Sequence, residues 1–143
     1  MHAIFVAAIY DGIARAARDW LVKFLKERVP ANLGAPLATL PRMQEVAGGI
    51  EARLAVNARL IDSFASDFDN GFPLSAIESN IIKLTVTNNA AAVVEDALSL
   101  TSNHGLSRTN PLERHYRDVL CGRVHTPQDD STRVAAGRFA LGV

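Results

Sequence analysis

Three histidines, His104, His115 and His125, share the last third of the sequence with Arg108, Arg114, Arg117 and Arg123. An imidazole changes charge near neutral pH and can carry a proton, while a guanidinium holds anions through a rigid fork of donors. Such a set could grip an anion or the polar edge of a cofactor. Each member also has a plainer account. His104 lies in a stretch of loop composition, His115 would ride a solvated helix face, and His125, within "GRVHTPQDDS" at residues 122–131, would mark a helix end before Pro127. "NPLERHYRD" reads as a helix start with Asn110 as cap and Pro111 in the first turn, and Arg114, Arg117 and Asp118 stand at helical pairing distance. Arg28 closes the first helix, where a basic residue complements the helix dipole.

Stronger chemical signatures are missing. No hydrolytic triad, phosphate-binding GxxxxGK[ST], dinucleotide GxGxxG or metalloprotease HExxH pattern occurs. Cys121 is the only cysteine, so no internal disulfide can form and no metal is expected; a reducing cytoplasm suits it, and the thiol reads as a small apolar side chain. Lys plus Arg equals Asp plus Glu at 15 each, which leaves no net field toward nucleic acid or an anionic membrane. The apolar run "AIFVAAIY" has no basic region before it and falls short of the roughly 18 residues a membrane span needs, so it reads as part of a soluble helix.

The elements that must carry these residues follow from hydrophobic period. At 143 residues the chain has the length of one domain, expected to run over 1–143. Ile4, Phe5, Ala8, Ile9, Ile13, Ala16, Trp20, Leu21 and Phe24 recur at helical spacing and predict a helix from about Ala3 to Arg28. Met43, Val46, Ala47, Ile50, Leu54, Ile61 and Phe64 predict a second from about Leu40 to Ser66, and Ile77, Ile81, Leu84, Ala91, Val94 and Leu98 a third from about Leu74 to Leu100. "VPANLGAPLATLP" ends the first helix, and "DFDNGFP" reverses the chain, with Pro73 suited to the next first turn. "TVTNN", in the middle of the third, is weak helix-forming sequence, and Glu95 and Asp96 are expected in solvent.

Beyond it "TSNHGLSRTNP" reads as loop, "LERHYRDVLCG" as a short helix, "RVHTPQ" as a break, and "DDSTRVAAGRFALG" as a last helix capped from Asp129, Asp130 and Ser131. No alternation of period two appears. The expected fold is all-α, an up-and-down bundle of three long helices plus two shorter C-terminal helices. Hydrophobic residues at 48% against 21% charged point to surface buried on another chain or domain.

The order "KERVPANLGAPL", then "EDALSLTSNHGLSRTNPLERHYRDVLCG", then a final helix resembles the C-terminal helical domain of the acyl-CoA dehydrogenase superfamily. "PLERHYRD" at 111–118 is its sharpest piece, and the likeness covers almost the whole chain. The resemblance implies a flavin, FAD or FMN, lying between this domain and a preceding β domain and touched by a neighbouring subunit. It also implies a homo-oligomer, dimer or tetramer. By position Arg28 would match an arginine on the flavin diphosphate, and Asn103, His104 and Gly105 the backbone segment near it. The chain departs from the family pattern in two places there: the segment after Arg28 is two residues longer, and Ser102 and Asn103 replace the first two glycines of the loop. The helical and β domains that precede this one in the family lie outside the likeness, so little flavin binding or activity is expected from these 143 residues alone.

In many family members the segment after the Arg-Asp helix carries a glutamate that removes a proton from the acyl-CoA thioester. Counting from Arg117 and Asp118, that position is Thr126, which cannot serve as the base. "GRVHT" instead resembles the two-component flavin-dependent monooxygenases, with Arg123, His125 and Thr126 matching and the histidine implied to act beside the reduced flavin. The expected function therefore leans to that branch, with His125 as its catalytic residue and Arg123 beside it. An ordinary acyl-CoA dehydrogenase with its base elsewhere, and a non-catalytic helical oligomerisation module, are the alternatives.

Overall fold

The computed structural model describes residues 2–72 and 74–143; Pro73, assigned above to a first turn, lies outside them. Among these residues the chain is all-α, an up-and-down bundle as expected. The long helices are α1 (His2–Glu27), α2 (Pro41–Asp69) and α3 (Ala76–Thr101), and the shorter C-terminal ones are α5 (Leu112–Leu120) and α6 (Asp129–Leu141). A single helical turn, α4 (Asn103–Leu106), forms within the expected loop. α3 is the central helix: α1, α2, α5 and α6 all pack on it.

That central place explains why α3 forms through "TVTNN". Val86 and Ala90 are buried, and each polar side chain of the stretch finds an acceptor: Thr87 Oγ1 donates to the Lys83 carbonyl at 2.9 Å, Asn88 Nδ2 to the Leu84 carbonyl at 2.7 Å, and Asn89 Nδ2 to Asn57 Oδ1 at 2.9 Å. Packing of a surrounded helix outweighs a few tenths of a kcal/mol of weak propensity per residue. The helix starts at a capping box, Ser75 with Glu78, whose hydrogen bonds hold the Glu78 carboxyl below its usual range. "SAIE" carries that signature in the sequence. Asp96 is not free in solvent but accepts from Arg53 at 2.7 Å.

α1 buries a face rotated from the expected stripe. Ala7, Ala14, Ala17, Leu21 and Leu25 are buried, whereas Phe5 is 61% and Ile9 59% exposed. Small residues let α1 approach α3 closely, so alanines occupy the core side and the bulkier residues form a second apolar face with Ile61 and Phe68 of α2. The register of the three long helices is tied by a polar chain with Asp11 and Asn57 buried at its centre: Arg15 donates to Asp11 at 2.6 Å, Asn57 Nδ2 to Asp11 at 2.9 Å, and Asn89 to Asn57. Each of these buried groups is satisfied, as burial in a low-dielectric interior requires.

Candidate functional site

The His125 segment begins where α5 ends. A 3-10 turn, Cys121–Arg123, brings the His125 amide onto the Cys121 carbonyl at 3.0 Å. Gly122 is pressed against α1 and α3; a Cβ there would stand 3.2 Å from Thr87 Cβ and 3.5 Å from Tyr10 Cδ1, so only glycine fits without displacement. Its carbonyl accepts from Lys83 Nζ at 2.6 Å, and Lys83 also lies 3.4 Å from Asp129. Lys83 is 0% exposed. Burial lowers its pKa, against the opposing pull of Asp129. Asp129 further accepts from Asn88 Nδ2 at 3.1 Å. The segment from Gly122 to Asp129 is thus fastened at both ends to one buried cation, and it contains a cis Thr126–Pro127 peptide.

His125 itself is exposed, and its Nδ1 lies 3.2 Å from the Tyr10 hydroxyl of α1. Tyr10 is buried, which raises its pKa, with Cys121 and Asp118 adding to the rise, so the phenol keeps its proton across the ordinary pH range. The His2 ring stands edge-on to His125 at 6.1 Å. An open hollow of ≈ 460 Å³ lies beside the segment, lined by His2, Ser79, Asn80, Thr126 and Pro127 among others. That is within the roughly 300–1,000 Å³ of small-ligand sites.

The other named residues lie elsewhere. Near the far end of α1 the His104 ring packs 5.4 Å from Phe24, and the Arg28 amide closes onto the Phe24 carbonyl at 2.9 Å. Arg28 is exposed and, among the described residues, forms no ion pair. The longer segment after it folds as a turn, with Gly34 at φ +65 bonded to the Pro30 carbonyl, and returns Leu37 to the Arg28 carbonyl at 2.9 Å. Ser102 takes φ +49, ψ −138, a backbone conformation proper to glycine, where the resemblance expects one. Asn103 is exposed, and Gly105 is buried with no room for a Cβ against Thr101, Leu98 and Leu112.

The arginine–histidine set does not converge. Arg108, Arg114, Arg117 and Arg123 are all exposed, and Arg117 pairs with Glu113 at 2.9 Å rather than with Asp118. His115 is half-buried on α5, not fully solvated; burial lowers its pKa, Arg114 adds to this, and Asp118 opposes it. Asn110 does not cap α5; its amide donates to the His104 carbonyl and Pro111 takes the cap position. Asp129 and Ser131 likewise give no side-chain cap to α6: Asp129 turns inward to Lys83, and Ser131 donates to the Gln128 carbonyl. Cys121 is exposed rather than packed as an apolar residue. Sequence reasoning missed Tyr10 and Lys83, since a lone tyrosine or lysine on a helix carries no spacing signal that distinguishes it from a solvated one.

Residues 1–133 match the family model described as acyl-CoA dehydrogenase, C-terminal domain. The chain belongs to the acyl-CoA dehydrogenase family. Within that family it is 36% identical over 140 residues to YdbM of Bacillus subtilis (strain 168), a protein named after the acyl-CoA dehydrogenases, covering 95% of this chain and 37% of that protein. It is 34% identical over 156 residues to the L-evernosamine nitrososynthase of a Micromonospora strain, covering 100% of this chain and 35% of that protein. The chain thus spans little more than a third of the relatives it matches. Its fold is similar to that of one part of butyryl-CoA dehydrogenase from Megasphaera elsdenii, with a TM-score of 0.88 and 24% identity over 97% of this chain and 36% of that one. Relatives named for acyl-CoA dehydrogenation or reduction predominate, so the family is set while the oxygenase branch is not marked out. Among the described residues no helix is long and apolar enough to cross a membrane.

Proposed function

We propose that the chain is the flavin-facing C-terminal helical domain of an acyl-CoA dehydrogenase-type oxidoreductase, and that it joins copies of that protein into a homo-oligomer. The observation that supports this most is that the family match runs through both candidate contacts, Arg28 and His125, while each stands exposed at the surface. The residues present suit a flavin. Arg28 offers a fork of donors, unpaired among the described residues, to a diphosphate, and the exposed residues Asn103 and His104 lie near the same end of α1. At the other end Arg123 and Thr126 line separate hollows, with the exposed His125 between them in the chain. When bound, the flavin, FAD or FMN, supplies the redox chemistry.

Tyr10 and Phe24 are 14 residues apart on one helix, about 21 Å at 1.5 Å per residue. The Arg28 and His125 ends thus stand well apart, and contacts to flavins of two subunits suit that separation. The apolar faces at Phe5 and Ile9, and at Phe139 of α6, exposed by 76%, suit burial against a second copy.

For the chemistry, the monooxygenase-type reading rests on "RVHT", since Thr126 stands where a thioester base would be and His125 presents an exposed imidazole from that segment. Expression of the full-length protein decides between the readings. Anaerobic bleaching of its flavin by acyl-CoA supports the ordinary dehydrogenase. Oxygen-dependent product formation lost in His125→Ala supports the oxygenase. A full-length protein that binds neither FAD nor FMN would leave the non-catalytic oligomerisation module and overturn the proposal.

A further inference from the structure

The Tyr10–His125 contact carries a consequence for which chemistry His125 can perform. Tyr10 is buried in the wall of α1, and among the described residues its hydroxyl has one hydrogen-bond partner, His125 Nδ1 at 3.2 Å. Two arrangements of protons satisfy that distance. The phenol can donate to an unprotonated Nδ1, or an Nδ1–H can donate to the phenol oxygen. In the second, the phenol hydrogen loses its one acceptor among the described residues on a residue that is 6% exposed, and an unmade bond there is costly. In the first, the phenol hydrogen is used and the ring proton sits on Nε2, which makes no hydrogen bond among the described residues and belongs to an exposed side chain that water can serve.

We infer that Tyr10 is a positioning residue for His125: by donating to Nδ1 it fixes the neutral ring as the Nε2–H tautomer, so that His125 presents a hydrogen-bond donor, not a lone pair, to its ligand. The inference rests on His125 being a site residue, as proposed above. It names the chemistry of the partner atom, an electron-rich oxygen such as a carbonyl, an oxyanion or an oxygen of a flavin–oxygen complex. It also sets a limit. A ring whose outward nitrogen already carries a proton does not remove one from a substrate carbon, so His125 does not stand in for the glutamate absent at Thr126. The Tyr10 anchor suits such a role because the loop backbone is held separately, through Gly122 and Lys83, leaving the hydroxyl to set only the ring.

The test is the long-range nitrogen–proton NMR spectrum of the imidazole rings in the chain, without flavin, at about pH 8.5, two units above the ordinary histidine value of about 6.5. The His125 signals are assigned by their loss in His125→Gln. The expected spectrum shows His125 as Nε2–H. Loss of one neutral hydrogen bond in Tyr10→Phe should move the tautomer ratio toward Nδ1–H by about three- to tenfold. A wild-type spectrum with Nδ1–H as the major form would overturn the inference, and so would an unchanged ratio in a Tyr10→Phe chain that melts as a folded protein. Should Tyr10→Phe fail to fold, the comparison is made within the wild-type chain: an Nε2–H to Nδ1–H ratio for His125 no higher than that of the exposed His104 would overturn the inference. Flavin takes no part in this measurement, so a failed flavin assignment and a failed tautomer assignment are read from different experiments.

Discussion

Replacing Lys83 by Met tests how the His125 loop is held. Met keeps the volume of the stem and removes the ammonium, so the Gly122 carbonyl loses its 2.6 Å hydrogen bond and Asp129 the cation 3.4 Å away. Both losses fall in closed surroundings, with the Lys83 side chain 0% and that of Asp129 9% exposed. Taking one partner from a buried ion pair costs about 3–5 kcal/mol. Asp129 keeps Asn88 at 3.1 Å and Arg133 at 3.8 Å, which places Lys83→Met at the low end, about 3 kcal/mol. For a chain of this size that is a fall in Tm of about 10 °C, measurable by calorimetry or urea unfolding at neutral pH. Adding Asp129→Leu should restore part of the loss, because no buried charge then lacks its partner.

The same residue gives a pH dependence of definite sign. Desolvation holds the Lys83 ammonium below the usual lysine range despite Asp129. The native chain therefore releases this proton at a lower pH than the unfolded chain, and between those two values the unfolded state binds more protons. Stability rises with pH across that window. The stability gap between the unaltered chain and Lys83→Met should widen as pH climbs toward the ordinary lysine value of about 10.4. An unchanged or higher Tm for Lys83→Met at neutral pH, or a gap that narrows in base, would refute Lys83 as the anchor of the loop.

Two substitutions probe the other candidate end. Ser102→Gly relieves a non-glycine residue held at φ +49 and should raise stability by about 1 kcal/mol, read as a higher urea midpoint with unchanged slope. Gly105→Ala drives a Cβ into Thr101, with Leu98 at 3.0 Å and Leu112 at 3.2 Å, and should cost about 1–3 kcal/mol by the same measurement.

The three long and two shorter helices and their order were legible because three long apolar periods leave little choice, and Pro41 and the Asn70–Gly71 turn mark real boundaries, whereas the single turn α4 was read as loop. The burial face of α1 was not. Its sequence is apolar on two sides, and period alone does not say whether Phe5 and Ile9 or Ala7 and Ala14 face inward; the close approach to α3 decides for the alanines. Capping failed at α5 and α6 for one reason. Asn110 and Asp129 had better partners in tertiary space, the His104 carbonyl and the Lys83 ammonium, than the local backbone groups that capping rules consider. The motif singles out His125 as a candidate, yet what holds it, Tyr10 and Lys83, lies 115 and 42 positions away in the chain and belongs to helices whose patterns give those residues no distinction.

Two sets of polar side chains bonded between elements of this bundle have separate tasks. Asp11, Arg15, Asn57 and Asn89 join α1, α2 and α3 to one another and touch no part of the His125 segment. Lys83, Asn88 and Asp129 join α3 to that segment and to the start of α6, and Tyr10 reaches it from α1. Lys83 and Asn89 are on the same helix, yet their side chains serve different partners. A change in the first set should shift the packing of the long helices as a body, whereas a change in the second should loosen the loop while the bundle stays formed, because local unfolding follows the units that share contacts. A site fastened this way can vary in the residues it presents, His125 and Thr126, without disturbing the core. That accounts physically for a histidine–threonine pair standing on a scaffold whose family relatives include both dehydrogenases and a nitrososynthase.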